Sequence, residues 1–250
     1  MIAERFKRRV RSLRDRFSLR FEVRSPRPEW AGERDRFAYQ HRYVTFDVRP
    51  GDRVLDVGSG GKPFPLATVL ADLSLESSKD RLDALARDDR PLVLADIHNL
   101  PFDAKSFDYV YCSHVLEHVV SPLRACAELM RVGRRGFIET PMMAKDALFA
   151  WARGMHRWHM LAIGDNLCFF EYSPRQLEGI RSSVWRDLVF DKWHNPLQEV
   201  FYENQDLFNV MFTWSDRFGV FAFYLSGTVE SLNARVLTRR VVAHPRSNPG

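Results

Sequence analysis

Three aspartates sit at the ends of short apolar runs: Asp56 in Val54-Leu-Asp-Val57, Asp72 after Thr68-Val-Leu-Ala71, and Asp96 after Pro91-Leu-Val-Leu-Ala95. The first runs directly into a glycine turn, Gly58-Ser-Gly-Gly61. Residues without a Cβ let the backbone turn tightly and let a ligand approach the main chain. Open α/β sheets bind ligands at the carboxyl ends of their strands, which is where these acids fall. The turn is not a dinucleotide fingerprint, because Gly58 and Gly60 fill its first and third places but Pro63 occupies the sixth. An acid just before the first glycine, with no phosphate to repel it, suits a cationic ligand.

Two groups of histidines carry the remaining chemistry. His114-Val-Leu-Glu-His118 spells H-x-x-E-H, a pattern that can set two zinc-binding imidazoles one helical turn apart. It begins directly at the end of an apolar strand, Phe107 to Cys112, and no third ligand is at hand, so no metal is expected there. His156-Arg-Trp-His159 offers two imidazoles three residues apart, again without a well-placed carboxylate. The expected role is proton acceptance, by His114 first and His159 behind it. Glu117 and His118 read as helix-surface or capping residues.

The elements that would position these groups read in order as strands at 54–57, 68–71, 91–96, 107–112 and 134–140, with a helix at 122–130. Over residues 50–141 the ordered set Asp56-Val-Gly-Ser-Gly60, Asn99-Leu-Pro-Phe102 and Ser106-Phe-Asp-Tyr-Val110 resembles the class I S-adenosylmethionine-dependent methyltransferases, in particular their methyltransferase type 11-like domain. The resemblance implies an α/β fold. It would be a Rossmann-like doubly wound sheet of about seven strands, mostly parallel, with helices on both faces and a C-terminal antiparallel hairpin. It implies S-adenosyl-L-methionine as cofactor. Asp56, Gly58, Ser59 and Gly60 would line its loop, and Asp72, with Leu73 beside it, would take both ribose hydroxyls. A carboxylate's lone pairs suit a vicinal diol, although Asp72 also fits as the N-cap of the Leu75–Leu85 segment. Asp96 would bond the adenine amino group with Ile97 against the ring, and Ser113 and His114 would face the methionine portion or the acceptor.

The chain departs from that family after the loop. Lys62 stands where a third glycine is common, Pro63 and Pro65 prevent a long helix, and only Lys62 to Ala67 precede the next strand. The first crossover helix is therefore expected to be shortened.

The 250 residues are 45% hydrophobic, enough to bury a full core. No apolar run of eighteen residues or apolar signal core occurs, which points to a cytoplasmic protein. Cys112, Cys126 and Cys168 form no Cys-x-x-Cys pair, so neither disulfides nor a cysteine zinc site is indicated. Five segments are expected: a basic amphipathic helix (1–27), a cofactor-binding core (28–141), a lid or cap (142–172), a C-terminal completion of the core sheet (173–234) and a flexible tail (235–250). The last segment includes a hairpin of Phe208–Trp214 and Val220–Leu225.

Residues 1–24 carry nine basic and three acidic side chains, with Ile2, Phe6, Val10, Leu13, Phe17 and Phe21 as one stripe. Such a helix docks its stripe on the core, or lies on an anionic membrane or a nucleic acid. The expected activity is methyl transfer to a small-molecule acceptor. A non-catalytic binding domain of the same type, and a nucleic-acid-directed or membrane-peripheral enzyme, are the alternatives. Nucleic acid is disfavoured, because Cys112-Ser-His114 stands where base-methylating enzymes often carry Asn/Asp-Pro-Pro-Tyr/Phe.

Overall fold

The computed structural model describes residues 36–75, 89–149, 155–181, 188, 191 and 193–234. The basic stretch 1–27, the segment 76–85 after Asp72, Trp151 and the 235–250 tail lie outside the described residues.

Alternation of side chains builds the main sheet. Strands β1 (Val54–Val57), β2 (Val69–Asp72), β3 (Leu92–Leu94), β4 (Phe107–Ser113) and β5 (Gly133–Pro141) are followed by β6 (Trp158–Ile163), β7 (Asn166–Glu171), β8 (Asn209–Ser215), β9 (Gly219–Phe223) and β10 (Val229–Leu232). Six of them lie in the order β3-β2-β1-β4-β5-β8. The first five run parallel to their neighbours, and β8 pairs antiparallel with β5. Because the chain leaves β1 for β2 and β3 and returns to β4, the strand order reverses between β1 and β4. Loops on either side of that point diverge and leave a crevice at the carboxyl ends.

Both faces are covered. Val54, Leu70, Tyr109, Tyr111 and Phe137 point to one side, onto Phe37 of helix α1 (Arg36–Tyr43) and onto Phe46 and Phe64. The Phe64 and Tyr111 rings stack at 4.2 Å. Leu55, Val57, Val110, Cys112 and Ile138 point to the other side, onto Ala125, Cys126 and Leu129 of helix α2 (Pro122–Val132). Fully burying one such large side chain contributes about 1.5–3 kcal/mol. Helix α2 also fixes the Asn99–Phe102 turn. Arg131 donates to the carbonyls of Leu100 and Phe102, and Glu128 accepts from the Leu100 amide.

The doubly wound α/β class holds, with six strands in the main sheet instead of about seven. Between β1 and β2 the described residues contain turns and no helix, as Pro63 and Pro65 dictate. Arg90 closes this short crossover by donating to the carbonyls of Phe64 and Ala67 at 2.7 and 2.9 Å.

The C-terminal hairpin is corrected. β8 completes the main sheet, but β9 leaves it for a second sheet of order β10-β9-β7-β6, pairing parallel with β7 and antiparallel with β10. The reason is burial. Val220 and Ala222 of β9 enter the core beside Leu129 and Met130 of α2, with Leu167 and Phe169 of β7 and Trp158 of β6. A hairpin with β8 would give up those contacts. The expected cap at 142–172 thus becomes helix α3 (Met143–Phe149) and the β6–β7 hairpin, and 219–232 joins that hairpin instead of completing the core sheet. Helices α4 (Pro174–Arg181) and α5 (Pro196–Glu203) lie between β7 and β8, and α5 is capped reciprocally by Asn195 and Gln198.

Candidate functional site

The glycine turn folds back over the end of β2. Gly58 and Gly60 take φ of +74° and +55°, a region that L side chains enter at a cost of roughly 1–2 kcal/mol. The amides of Gly58 and Ser59 donate to the carbonyl of Ala71, and the Gly60 amide donates to Asp72 Oδ2 at 3.0 Å. Asp72 Oδ1 accepts from Ser74 at 3.3 Å, and Leu73 beside it is exposed. The Ser59 hydroxyl is buried and has no hydrogen-bond partner among the described residues. Arg36 of α1 braces the turn from outside, donating to the Lys62 carbonyl and, at 3.5 Å, to Ser113 Oγ.

Asp56 and Asp72 stand on neighbouring strands and Asp96 just beyond the next, and the three do different work. Asp56 is buried, and its Oδ2 accepts from the Phe64 amide at 2.7 Å, so it props the crossover from beneath the loop. Burial pushes its carboxyl up to about 7, against the Phe64 N–H and the charges of Arg36 and Arg90. Asp96 lies two residues beyond β3, half exposed, with Oδ1 taken by the backbone and ring nitrogens of His98. Those bonds hold its carboxyl below the usual carboxylate range. The Ala95 amide donates to the Asp72 carbonyl, which brings the two strand ends together. Ile97 is part of the core cluster with Leu100 and Phe102.

The shift of Asp56 has a stability consequence. A carboxyl near 3.8 when unfolded and near 7 when folded favours the native state only while protonated. That contribution is complete below about pH 4 and is lost as pH rises towards 7. Asp56→Asn keeps an acceptor for Phe64 and does not ionise. Thermal unfolding of the ligand-free variant is therefore expected to gain on the wild type across this window, by about 2–4 kcal/mol at pH 8. Parallel curves for the two proteins from pH 4 to pH 8 would contradict the buried acid.

At the end of β4 the chain turns sharply. His114 has φ +58°, rare for a residue with a side chain, and its amide donates to the Glu139 carbonyl at 2.8 Å. Its Nδ1 lies 3.3 Å from Glu117 Oε1, and its Nε2 lies 3.8 Å from Glu139 Oε2. Such outliers cluster at functional sites when the surroundings over-determine them. The surroundings here are polar and buried. Tyr39 donates to Glu139 Oε1 at 2.6 Å, Gln40 donates to Oε2, and Ser113 donates to Oε2 at 2.9 Å. Burial, then the Glu139 charge, raises the Tyr39 phenol.

Ser113, expected against the cofactor, is thus committed to Glu139. Glu117 and His118 are not on a helix surface. They occupy a turn, with Glu117 fully buried, because Trp158 covers the turn by donating its Nε1–H to the Val119 carbonyl. His159 stands apart from His114, on β6, packed between Phe170 and Tyr172 at ring distances of 5.1 and 5.0 Å. Glu139 and Gln40 were not legible as site residues, since a glutamate inside an apolar strand carries no motif.

Comparison with known proteins places the stretch. A protein-family model described as a methyltransferase domain matches residues 55–138, from β1 into β5. Residues 55–138 are thus similar to that domain. The chain is 32% identical over 105 residues to a demethylmenaquinone methyltransferase of Mycobacterium sp. (strain KMS), covering 41% of this chain and 46% of that protein. A demethylmenaquinone methyltransferase of Clavibacter sepedonicus is 42% identical over 97 residues, covering 34% and 38%. The chain therefore spans less than half the length of these relatives. Among solved structures, the YcgJ protein from Bacillus is similar at 19% identity and a TM-score of 0.34, over 43% of this chain and 54% of that one. The segment matched by the family model holds the glycine turn, Asp72, Asp96 and His114. The β6–β7 hairpin and the second sheet lie beyond it.

Proposed function

We propose that the chain binds S-adenosyl-L-methionine across the ends of β1, β2 and β3 and transfers its methyl group to a small-molecule acceptor held beside His114. The observation that carries this reading is the glycine turn. Two left-handed glycines fold its amides onto Ala71 and Asp72 beside the strand-order reversal, which brings the loop backbone and the Asp72 carboxylate together at the strand ends. When bound, the cofactor supplies a sulfonium methyl that is already electrophilic. The protein's part is then placement and exclusion of water. Asp72 would take the ribose diol, Asp96 with Leu73 and Ile97 nearby would serve the base, and Ser59 would offer its unpartnered hydroxyl. His114, with Nδ1 turned to Glu117, keeps Nε2 as the nitrogen that accepts the acceptor's proton.

The names of the relatives make demethylmenaquinone the first acceptor to assay, alongside other small molecules with an acidic proton. Calorimetric titration with S-adenosyl-L-methionine and with its demethylated product is the primary test. Saturable binding of either is expected, and binding of neither would remove the assignment.

His114→Asn separates chemistry from binding. Asparagine tolerates positive φ and cannot act as the base. Turnover with labelled donor is expected to fall about 100-fold or more, as loss of a general base does, while cofactor affinity and thermal stability stay near wild type. Undiminished turnover would remove His114 from the mechanism.

A further inference from the structure

We propose that Glu117, His118 and His156 form a binding site for a single borderline divalent cation of the Zn2+ type. One ligand atom from each of these residues falls within 4.8 Å of the others. The two segments that carry them are far apart in sequence and are stitched together by backbone. The amides of Arg157 and Trp158 donate to the Glu117 carbonyl at 2.8 and 3.2 Å, and the Trp158 indole donates to the Val119 carbonyl at 2.7 Å. The fold thereby supplies the third ligand that H-x-x-E-H lacks in sequence. His114, the first letter of that pattern, is replaced by His156.

The chemistry of the donors fits such an ion. Two imidazoles and a carboxylate suit zinc and its first-row neighbours, and three protein ligands leave a coordination position open, as in reactive zinc centres. His156 directs Nδ1 to Asp146 Oδ2 at 2.9 Å, so Nε2 is left as the ligand nitrogen, and Tyr172 donates to the same Asp146 oxygen at 2.9 Å. A carboxylate behind the imidazole in this way fixes the ring and raises its basicity towards a metal. The Glu117 side chain is 1% exposed, and its Oε2 has no hydrogen-bond partner among the described residues, while Oε1 faces His114 and His118. A buried carboxylate oxygen without a partner is costly, and a cation would satisfy it.

The test uses the full chain, stripped with chelator and dialysed, then titrated with Zn2+ by calorimetry and with Co2+ by visible absorption. About one equivalent of each is expected, with Co2+ bands of a four- or five-coordinate site. His118→Ala, at the most accessible of the three ligands, and Glu117→Gln are each expected to weaken binding at least about 100-fold. Asp146→Asn is expected to weaken it about 10- to 100-fold. Circular dichroism confirms that each variant is folded. Failure of the wild-type chain to bind either ion near one equivalent would overturn the site. So would equal binding by folded His118→Ala.

Discussion

Asp72→Ala is expected to lower affinity for S-adenosyl-L-methionine by about 30- to 1,000-fold in calorimetric titration. Hydrogen bonds to a charged group contribute about 1.5–3 kcal/mol each, and a ribose diol offers two. A net loss of about 2–4 kcal/mol corresponds to that range at 1.4 kcal/mol per decade. The same carboxylate also anchors the turn through the Gly60 amide at 3.0 Å, so the variant loosens the backbone that meets the ligand. Asp72→Asn distinguishes these contributions. It retains an acceptor for Gly60 but gives up the charge, and it should fall between wild type and alanine. Wild-type affinity in folded Asp72→Ala would place the cofactor elsewhere.

Gly58→Ala is expected to be damaging to both stability and binding. A Cβ at Gly58 would stand 2.2 Å from Val115 Cγ2, and the residue's φ of +74° is unfavourable for alanine regardless of space. The backbone term is roughly 1–2 kcal/mol and overpacking adds about 1–3 kcal/mol. A chain of this size should lose roughly 5–15 °C in melting temperature. Val115 follows His114, so relief of the clash displaces the turn that aims the imidazole. Loss of turnover beyond the loss of cofactor affinity is therefore expected. A melting temperature within a degree of wild type would show that the turn yields freely at this point.

The main sheet was legible in the sequence because its strands are buried on both faces and read as continuous apolar runs: Val54–Val57, Val69–Ala71 and Phe107–Cys112. The short crossover was legible because proline forbids a helix mechanically, whatever surrounds it. The destination of β9 was not. Val220–Leu225 beside Phe208–Trp214 is locally a hairpin, and only the competing pocket on α2, built from Met130, Leu129 and a strand fifty residues upstream, draws it away. The candidate site divides in the same manner. Gly58, Gly60, Asp72 and Asp96 announce themselves by position at strand ends. Glu139, Arg36 and Asp146 act through partners distant in sequence, and no spacing rule marks them. Asp56 was read correctly as a strand-end acid, but its direction was not: the Phe64 amide turns it inward.

The parallel pairing of β7 with β9 also makes the second sheet a non-local structure. These strands register Asn166 against Gly219 and Phe170 against Phe223, and the chain between them includes α4, α5 and β8 at the edge of the other sheet. Contacts that close so long a loop carry its closure entropy. Trp158 and His156 are held by the same small sheet, so a chain emerging from the ribosome presents Glu117 and His118 well before their third companion. Enclosure of the Glu117 carboxylate therefore depends on the second sheet as much as on the first, through the Arg157 and Trp158 amides that bond its carbonyl.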